Sequence, residues 1–240
     1  MTESVRGKRV LITGGVRRLG RSFTLALAAA GADVVVSTRM PDAESDSLLA
    51  ELRQAGASAN VVVCDVTRPD EVKRAVAEAT EHLGGLDVLI NNAGVFETAA
   101  LEDLTPGQWD AMYATNTRGP FLVAQAALQH LRASRGRIIN IGSLGGLKPW
   151  ATHGHYCASK AALHMLSQTM AKAWAPEVSV NCVAPGMILF PGDESRVTSK
   201  TPMQRDGSPE DVVSAILYFA TAPAFITGQM LAVDGGLSLV

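Results

Sequence analysis

Short runs of apolar, mostly β-branched residues recur along the chain, and stretches with a helical pattern separate them. The runs lie at residues 9–13, 34–36, 61–63, 88–90, 138–141 and 178–183. A strand that is buried on both faces of a parallel sheet is a nearly continuous run of apolar residues. A strand with one solvent-exposed face alternates apolar and polar residues. The runs therefore predict the strands of a parallel sheet that is covered on both sides.

The helical stretches between these runs have recognisable starts and stops. They are predicted at residues 43–55, 69–83, 106–133 and 155–175, and a further helix begins at Ser208-Pro209-Glu210-Asp211, where a capping serine precedes a proline and two acids. Strands that alternate with helices form a doubly wound sheet through right-handed crossovers. We therefore predict an α/β fold, with residues 1–240 forming a single Rossmann-like domain. Its parallel sheet should have about seven strands, with helices on both faces.

Composition and charge exclude several classes of protein. The chain of 240 residues is 47% hydrophobic, and its 21 Lys and Arg against 23 Asp and Glu give no general attraction to nucleic acid or anionic membranes. No apolar run approaches the ~20 residues that a membrane helix needs, and no signal peptide is visible. The three cysteines are widely spaced and lack metal-ligand spacing. We expect a cytoplasmic protein with no metal site, no nucleic-acid partner and no membrane partner.

The N-terminal segment predicts a phosphate-binding turn. The apolar run at 9–13 is followed by the glycine-containing segment 14–20, and then by an apolar helical stretch at 23–30. A strand, a glycine turn and a helix present backbone N–H groups and a helix N-terminus to a phosphate. The spacing differs from Gly-x-Gly-x-x-Gly, so a tight turn with no ligand is the alternative interpretation.

A tyrosine and a lysine are spaced for proton transfer. Tyr156 and Lys160 are four residues apart on a predicted helix, so their side chains lie on one face. A free tyrosine has a pKa of about 10, and a neighbouring cation favours the phenolate. The spacing predicts a lowered pKa for Tyr156, although the same spacing is common on helices that have no catalytic function.

Together, these segments resemble the short-chain dehydrogenase/reductase family over essentially the whole chain. The residues that carry the resemblance are Thr13-Gly14-Gly15-Val16-Arg17-Arg18-Leu19-Gly20, Asn91-Asn92-Ala93-Gly94, Asn116, Ser143, Tyr156 with Lys160, Pro185-Gly186 and Ala232-Val233-Asp234-Gly235-Gly236. One position departs from the family pattern, because Arg18 stands where the family usually has its second glycine.

The resemblance implies hydride transfer between a nicotinamide cofactor and a carbon that is doubly bonded to oxygen or nitrogen. It assigns the catalytic positions to Asn116, Ser143, Tyr156 and Lys160. Tyr156 would donate a proton to the substrate heteroatom, and Lys160 would lower the tyrosine pKa and bind the nicotinamide ribose. Ser143 would hold the substrate oxygen, and Asn116 would anchor a water that links Lys160 to solvent.

The cofactor is expected to be NADPH/NADP+. An NAD site usually has an acid at the end of the second strand, whereas this chain has Ser37-Thr38-Arg39 there. Arg17, Arg18 and Arg39 are expected to converge on the adenosine ribose, where guanidinium groups pair with a 2′-phosphate. The expected cofactor contacts are Gly14, Arg17, Arg18, Leu19, Gly20, Ser37, Thr38, Arg39, Asp65, Val66, Asn92, Ala93, Gly94, Tyr156, Lys160, Pro185, Gly186 and Ile188.

Two substrate classes fit the resemblance. Ser143 favours ketone reduction, as in the 3-oxoacyl-(acyl carrier protein) reductases, whereas Arg18 and Phe96 match positions of the pteridine reductases. The catalytic Asp of that second group is replaced by Ser143. A protein that binds the dinucleotide without turnover is a third reading, against which the complete Asn–Ser–Tyr–Lys set argues. The expected substrate contacts are Phe96, Ser143, Leu144, Tyr156 and Phe190.

Two further expectations concern a loop and assembly. Residues 189–207 are rich in Pro, Gly, Ser and charge, and in the family this segment is a mobile lid over the substrate. Members of the family are commonly tetramers built through the long helices and the C-terminal strand. We therefore expect a homotetramer or a homodimer.

Overall fold

The computed structural model describes residues 4–194 and 201–240. The strands are β1 (Arg9–Thr13), β2 (Asp33–Thr38), β3 (Ala59–Val63), β4 (Val88–Asn91), β5 (Arg137–Ile141), β6 (Ser179–Pro185) and β7 (Met230–Val233). The α-helices are α1 (Arg18–Ala29), α2 (Ala43–Gln54), α3 (Pro69–Leu83), α4 (Pro106–Tyr113), α5 (Gly119–Ser134), α6 (Gly154–Trp174) and α7 (Pro209–Thr221). Short 3₁₀ helices lie at Leu101–Asp103, Leu144–Gly146 and Leu237–Leu239.

The strands form one seven-stranded sheet in the order β3-β2-β1-β4-β5-β6-β7. Every neighbouring pair is parallel, and Val10 is paired with Val34 on one side and with Val88 on the other. The strand order reverses between β1 and β4, and in open α/β sheets a ligand binds at the carboxyl ends of the strands beside such a reversal. The doubly wound parallel sheet predicted from the sequence is confirmed.

Two hydrophobic cores cover the two faces of the sheet. Val10 and Ile12 of β1 belong to the core that contains α1, α2 and α7. Leu11, between them, belongs to the core that contains α3, α5 and α6. Successive residues of a strand point to opposite faces, so each apolar run supplies both cores. None of the helices in the described residues is long and apolar enough to cross a membrane.

The helix predicted over 106–133 is interrupted by a π turn. Residues Ala114–Arg118 form this wider turn between α4 and α5, where the N–H of Gly119 donates to the carbonyl of Ala114. Pro120 has no N–H and cannot donate to the carbonyl of Asn116 four residues earlier, so regular α-helical bonding stops here. The extra residue in this turn places Asn116 inside the protein, with 1% of its surface exposed.

Candidate active site

A cavity of about 740 Å³ lies at the carboxyl ends of β1 to β4. Every cofactor contact predicted between residues 14 and 94 lines it: Gly14, Arg17, Arg18, Leu19, Gly20, Ser37, Thr38, Arg39, Asp65, Val66, Asn92, Ala93 and Gly94. Six further residues that line it were not among the predicted contacts, namely Val16, Met40, Asp42, Cys64, Val95 and Thr115. Most of these adjoin a predicted contact in sequence, but Thr115 comes from the π turn and no sequence signal indicated it.

The glycine turn after β1 requires its glycines. Gly14 has a φ of +63°, which L side chains rarely adopt, and a Cβ there would lie 3.1 Å from the Cα of Ala93. A Cβ on Gly20 would overlap the carbonyl oxygen of Gly14 and lie 2.7 Å from the Asn92 Nδ2. The start of α1 therefore packs directly against the turn, and Arg18, Leu19 and Gly20 at this helix N-terminus line the cavity, a placement that suits a phosphate.

Arg18 occupies its position at a conformational cost. Its φ is +47°, in the left-handed region, which explains why glycine is usual there. The Arg18 guanidinium lies 4.1 Å from the centroid of the Phe190 ring and pairs with Asp193 at 3.4 Å. Phe190, predicted to contact substrate, thus lines the dinucleotide cavity and packs on an arginine.

The other two predicted arginines also border the cavity. Arg17 forms an ion pair with Asp42, whose carboxylate also accepts N–H bonds at the start of α2. Arg39 is exposed at the end of β2, close to Asp65. Burial raises the pKa of Asp65, but hydrogen bonds from Thr67 and the nearby charge of Arg39 outweigh it, so that pKa lies below its usual value. The donor set and the absence of an acid at the end of β2 fit a phosphorylated ribose.

Tyr156 lies in the first turns of α6, among rings from two other segments. Its ring centroid is 4.8 Å from that of Phe96, which meets it edge-on, and 6.1 Å from that of Trp150, which is nearly parallel to it. Burial raises the pKa of Tyr156 above its ordinary value, and a hydrogen bond with Ser143 offsets part of that rise. The lowered pKa predicted from the lysine spacing is therefore wrong.

The position of the Lys160 ammonium explains why the spacing predicted the wrong direction for the pKa shift of Tyr156. Lys160 does share a helix face with Tyr156, but its Nζ lies 5.9 Å from the tyrosine ring centroid and donates to the carbonyl oxygen of Ile141 at 2.8 Å. Burial lowers the pKa of Lys160 to about 8. A Cβ on Gly94 would lie 3.7 Å from this Nζ, so the ammonium group lies beside the dinucleotide cavity.

Asn116 binds the loop that follows β4. Its Oδ1 accepts from the N–H of Val95 at 2.8 Å, and its Nδ2 donates to the carbonyl of Val95 at 2.9 Å and to the Ser159 hydroxyl at 3.2 Å. The side chain predicted to anchor a water is thus occupied by protein groups. It connects the π turn to the cavity-lining Val95 and to α6.

Ser143 follows β5 and lies at the start of a short 3₁₀ turn. Its hydroxyl accepts from the N–H of Gly145 at 3.0 Å and is the hydrogen-bond partner of Tyr156. The neighbouring Leu144, predicted to contact substrate, is buried, with 1% of its surface exposed. The structure thus brings Ser143 to Tyr156 but directs the side chain of Leu144 into the protein.

An aromatic wall stands beside Tyr156, formed by Phe96, Trp150 and His153. Phe96 is 59% exposed and stacks on His153 with centroids 4.7 Å apart. Trp150 meets the ring of His153 nearly at right angles. Only Phe96 was predicted for this wall, because nothing local in the sequence marks Trp150 or His153 as its neighbours.

The remaining predicted residues lie around the end of β6. Pro185 and Gly186 pair with Val233 of β7, and Ile188 bridges to Gly207 and packs on the core beneath α7. Among the described residues, these three do not line the dinucleotide cavity. The lid predicted at 189–207 is described at 189–194 and 201–207, whereas 195–200 lies outside the described residues.

Comparisons with known proteins agree with this geometry. The family model of short chain dehydrogenases matches residues 8–200. A 3-oxoacyl-[acyl-carrier-protein] reductase of Synechocystis sp. is 36% identical over 95% of this chain and 95% of that protein. A crystal structure of a gluconate 5-dehydrogenase from Burkholderia cenocepacia, in complex with NADP and tartrate, is 34% identical, covers 98% of this chain and 96% of that chain, and has a TM-score of 0.91.

A third relative differs in the cofactor that its name gives. The crystal structure of the NADH-dependent reductase A1-R', responsible for alginate metabolism, is 33% identical, covers 97% of this chain and 98% of that chain, and has a TM-score of 0.90. Relatives of nearly equal similarity thus carry different nicotinamide cofactors. The family match, the sheet order and the predicted motifs between residues 14 and 94 that line one cavity lead to one conclusion: the chain belongs to the short-chain dehydrogenase family of oxidoreductases.

Proposed function

We propose that this protein is an NADPH-dependent reductase that converts a ketone to an alcohol, with Tyr156 as the proton donor. The observation that carries the proposal is the position of Lys160. Its Nζ would lie 3.7 Å from a Cβ on Gly94, a residue that lines the cavity. Lys160 and Tyr156 both belong to α6. A buried cation therefore lies beside a cavity that three arginines help to line, and the phenol lies one turn before that cation on the same helix.

A nicotinamide dinucleotide bound in this cavity would supply the hydride. Tyr156 donates its proton to the substrate oxygen, and the raised pKa of Tyr156 keeps this phenol protonated at neutral pH. An alkoxide is a far stronger base than a phenolate, so the transfer stays favourable. The Ser143 hydroxyl binds the same substrate oxygen, and the positive charge of Lys160 stabilises the negative charge that develops there.

Three arginines support NADPH as the cofactor. Arg17, Arg18 and Arg39 line the cavity, and β2 ends without an acid. Asp42 is the first acid in the sequence after β2. Its carboxylate already pairs with Arg17 and accepts N–H bonds from the first turn of α2. A ribose 2′-hydroxyl would therefore have to compete with Arg17 for this carboxylate, whereas a 2′-phosphate would be attracted by the exposed guanidinium of Arg39.

Arg39→Ala is expected to raise the KM for NADPH about 10- to 100-fold and to leave the KM for NADH within about twofold, because a charged hydrogen bond to the 2′-phosphate is lost. Steady-state kinetics with both cofactors measures this. Arg53→Ala, which removes an exposed arginine at the end of α2, is the matched control and should change neither value. An equal loss with both cofactors, or a wild-type preference for NADH, would contradict the assignment.

A pterin substrate is the second candidate, favoured by the exposed Phe96 ring at the aromatic wall. That ring stands edge-on to Tyr156, and a flat heterocycle stacked on it would reach the phenol. Against it, Ser143 stands where the pteridine reductases place an acid. A serine hydroxyl suits a ketone oxygen, so ketone reduction remains the proposal.

A panel of substrates separates the candidates. We expect NADPH oxidation, followed by absorbance, with acetoacetyl thioesters or with small ketones, and none with dihydrobiopterin. Turnover of dihydrobiopterin alone would replace the ketone proposal with the pterin one. Tight NADPH binding without turnover of any compound would favour a protein that only binds the dinucleotide.

We further propose that the protein is a homotetramer or a homodimer. Two exposed apolar regions support this: the groove beside Trp109, Tyr113 and Phe121 on the long helices, and the partly exposed edge strand β7. Neither region shares a lining residue with the dinucleotide cavity.

A further inference from the structure

His164 is a buried histidine that the proposed chemistry does not use. It lies on α6, four residues after Lys160 and eight after Tyr156. Residues at this spacing share one face of a helix. One stripe of α6 therefore presents the phenol, the ammonium and this imidazole in succession, and His164 is only 9% exposed.

The ring of His164 accepts a hydrogen bond from the loop that carries Ser143. The backbone N–H of Ser143 donates to its Nε2 at 3.3 Å. Accepting that bond requires a lone pair on Nε2, so the imidazole is neutral and its proton is on Nδ1. Burial, and then the nearby charge of Lys160, lower the pKa of His164 to about 4, which keeps it neutral at physiological pH.

Two glycines fit the loop around this ring. A Cβ on Gly142 would overlap the Nε2, and a Cβ on Gly146 would lie 2.8 Å from the Nδ1. The segment 142–146 therefore runs against both edges of the imidazole, with Ser143 inside it. Among the described residues, Lys160 on the same helix contributes charge near the ring, and the Cys182 thiol on β6 lies 2.8 Å from the place of a Cβ on Gly142.

We propose that His164 is a positioning residue for the carbonyl reduction proposed above, on which this inference rests. By accepting the N–H of Ser143, it fixes the backbone of that residue, and so directs the Ser143 hydroxyl toward Tyr156. The alternative role, filling space in the core, needs the volume of the ring but not its lone pair. The two roles therefore differ in how they respond to an isosteric side chain without an acceptor.

Four variants test the proposal: His164→Leu, His164→Gln, Ser143→Ala and the double variant of His164→Leu with Ser143→Ala. Leucine fills the space without accepting, whereas the side-chain oxygen of glutamine stands near the place of Nε2. We expect His164→Leu to lower kcat about 10- to 30-fold, with the dissociation constant for NADPH unchanged, and His164→Gln to stay within about threefold of wild type. His155→Leu, which removes another buried histidine from α6, is the matched control and should leave kcat within about twofold.

The double variant distinguishes positioning from packing. If His164 acts through Ser143, the double variant should have nearly the same kcat as Ser143→Ala alone. Multiplicative losses, or equal losses with leucine and glutamine, would overturn the proposal. Nitrogen NMR of the His164 ring in the wild type tests the proposal without any turnover. A proton on Nε2 would overturn the proposal even in a fully active enzyme. Full activity of Ser143→Ala would instead remove the proposed function and this inference together.

Discussion

Tyr156→Phe is expected to lower kcat for carbonyl reduction about 10²- to 10⁴-fold and to leave the dissociation constant for NADPH within about twofold. The change removes one hydroxyl and keeps the ring that packs against Phe96 and Trp150. Stability should therefore change little. Single-turnover kinetics and fluorescence titration with NADPH measure the two quantities.

The control for this variant is Tyr218→Phe, a tyrosine that is 48% exposed on α7 and does not line the dinucleotide cavity. It should reduce substrate at the wild-type rate. If Tyr156→Phe keeps more than about a tenth of the wild-type kcat, another group supplies the proton and the assignment fails.

Lys160→Met is expected to lower kcat about 10²- to 10³-fold and at the same time to raise the free energy of unfolding at pH 7 by about 1–3 kcal/mol. The buried ammonium donates a hydrogen bond to the carbonyl of Ile141, which is a neutral partner. Burial of this charge lowers its pKa from 10.5 to about 8, which is the sign of a destabilising environment. Methionine removes the charge and keeps most of the length, and losing the bond to Ile141 reduces the gain.

The pH dependence of the same variant gives an independent check. Because the folded protein loses this proton at a lower pH than the unfolded chain, the cost of the charge is complete below a pH of about 8 and vanishes as the pH rises toward 10.5. The difference in unfolding free energy between the variant and the wild type should shrink over that interval. Wild-type kcat should fall above a pH of about 8 as the charge is lost.

Chemical denaturation at several pH values, together with pH–rate profiles, measures both effects. Lys148→Met, at a partly buried lysine that donates to the carbonyl of Leu237, controls for the loss of a lysine outside the proposed site. A Lys160→Met protein that is less stable than wild type at pH 7 would mean that the ammonium group contributes to stability, contrary to the sign derived from its burial.

Local chemistry explains which elements could be predicted from the sequence. Helix α3 runs from Pro69 to Leu83, as predicted, because proline is favoured at the first helical position and Gly84 ends the helix with a φ of +70°. The apolar runs identified strands β1 to β6, and the inner strands β1, β2, β4, β5 and β6 are covered on both faces. The π turn was not predicted, because one extra residue changes the apolar pattern of a long helix too little to be noticed. Pro120 was a local indication that regular helical hydrogen bonding is interrupted.

The candidate site was predictable where a motif fixed the backbone and unpredictable where distant segments met. The glycine turn, Asn92 and the strand ends lie around the cavity as predicted. The predicted direction of the pKa shift of Tyr156 was wrong. The observed shift depends on burial among rings such as Phe96 and Trp150, which come from other parts of the chain. Spacing along one helix carries no information about that burial.

The π turn at Ala114–Arg118 constrains how the two helices that it joins can change. Each residue added to or removed from a helix rotates the following segment by about 100° about its axis. Helix α4 packs on α6, and helix α5 packs against one face of the sheet. The turn therefore sets the rotation about the helix axis that relates the buried side of α4 to the buried side of α5. Insertions and deletions between residues 106 and 134 should therefore be much less tolerated than substitutions, and the number of residues there is a stricter requirement than their identity.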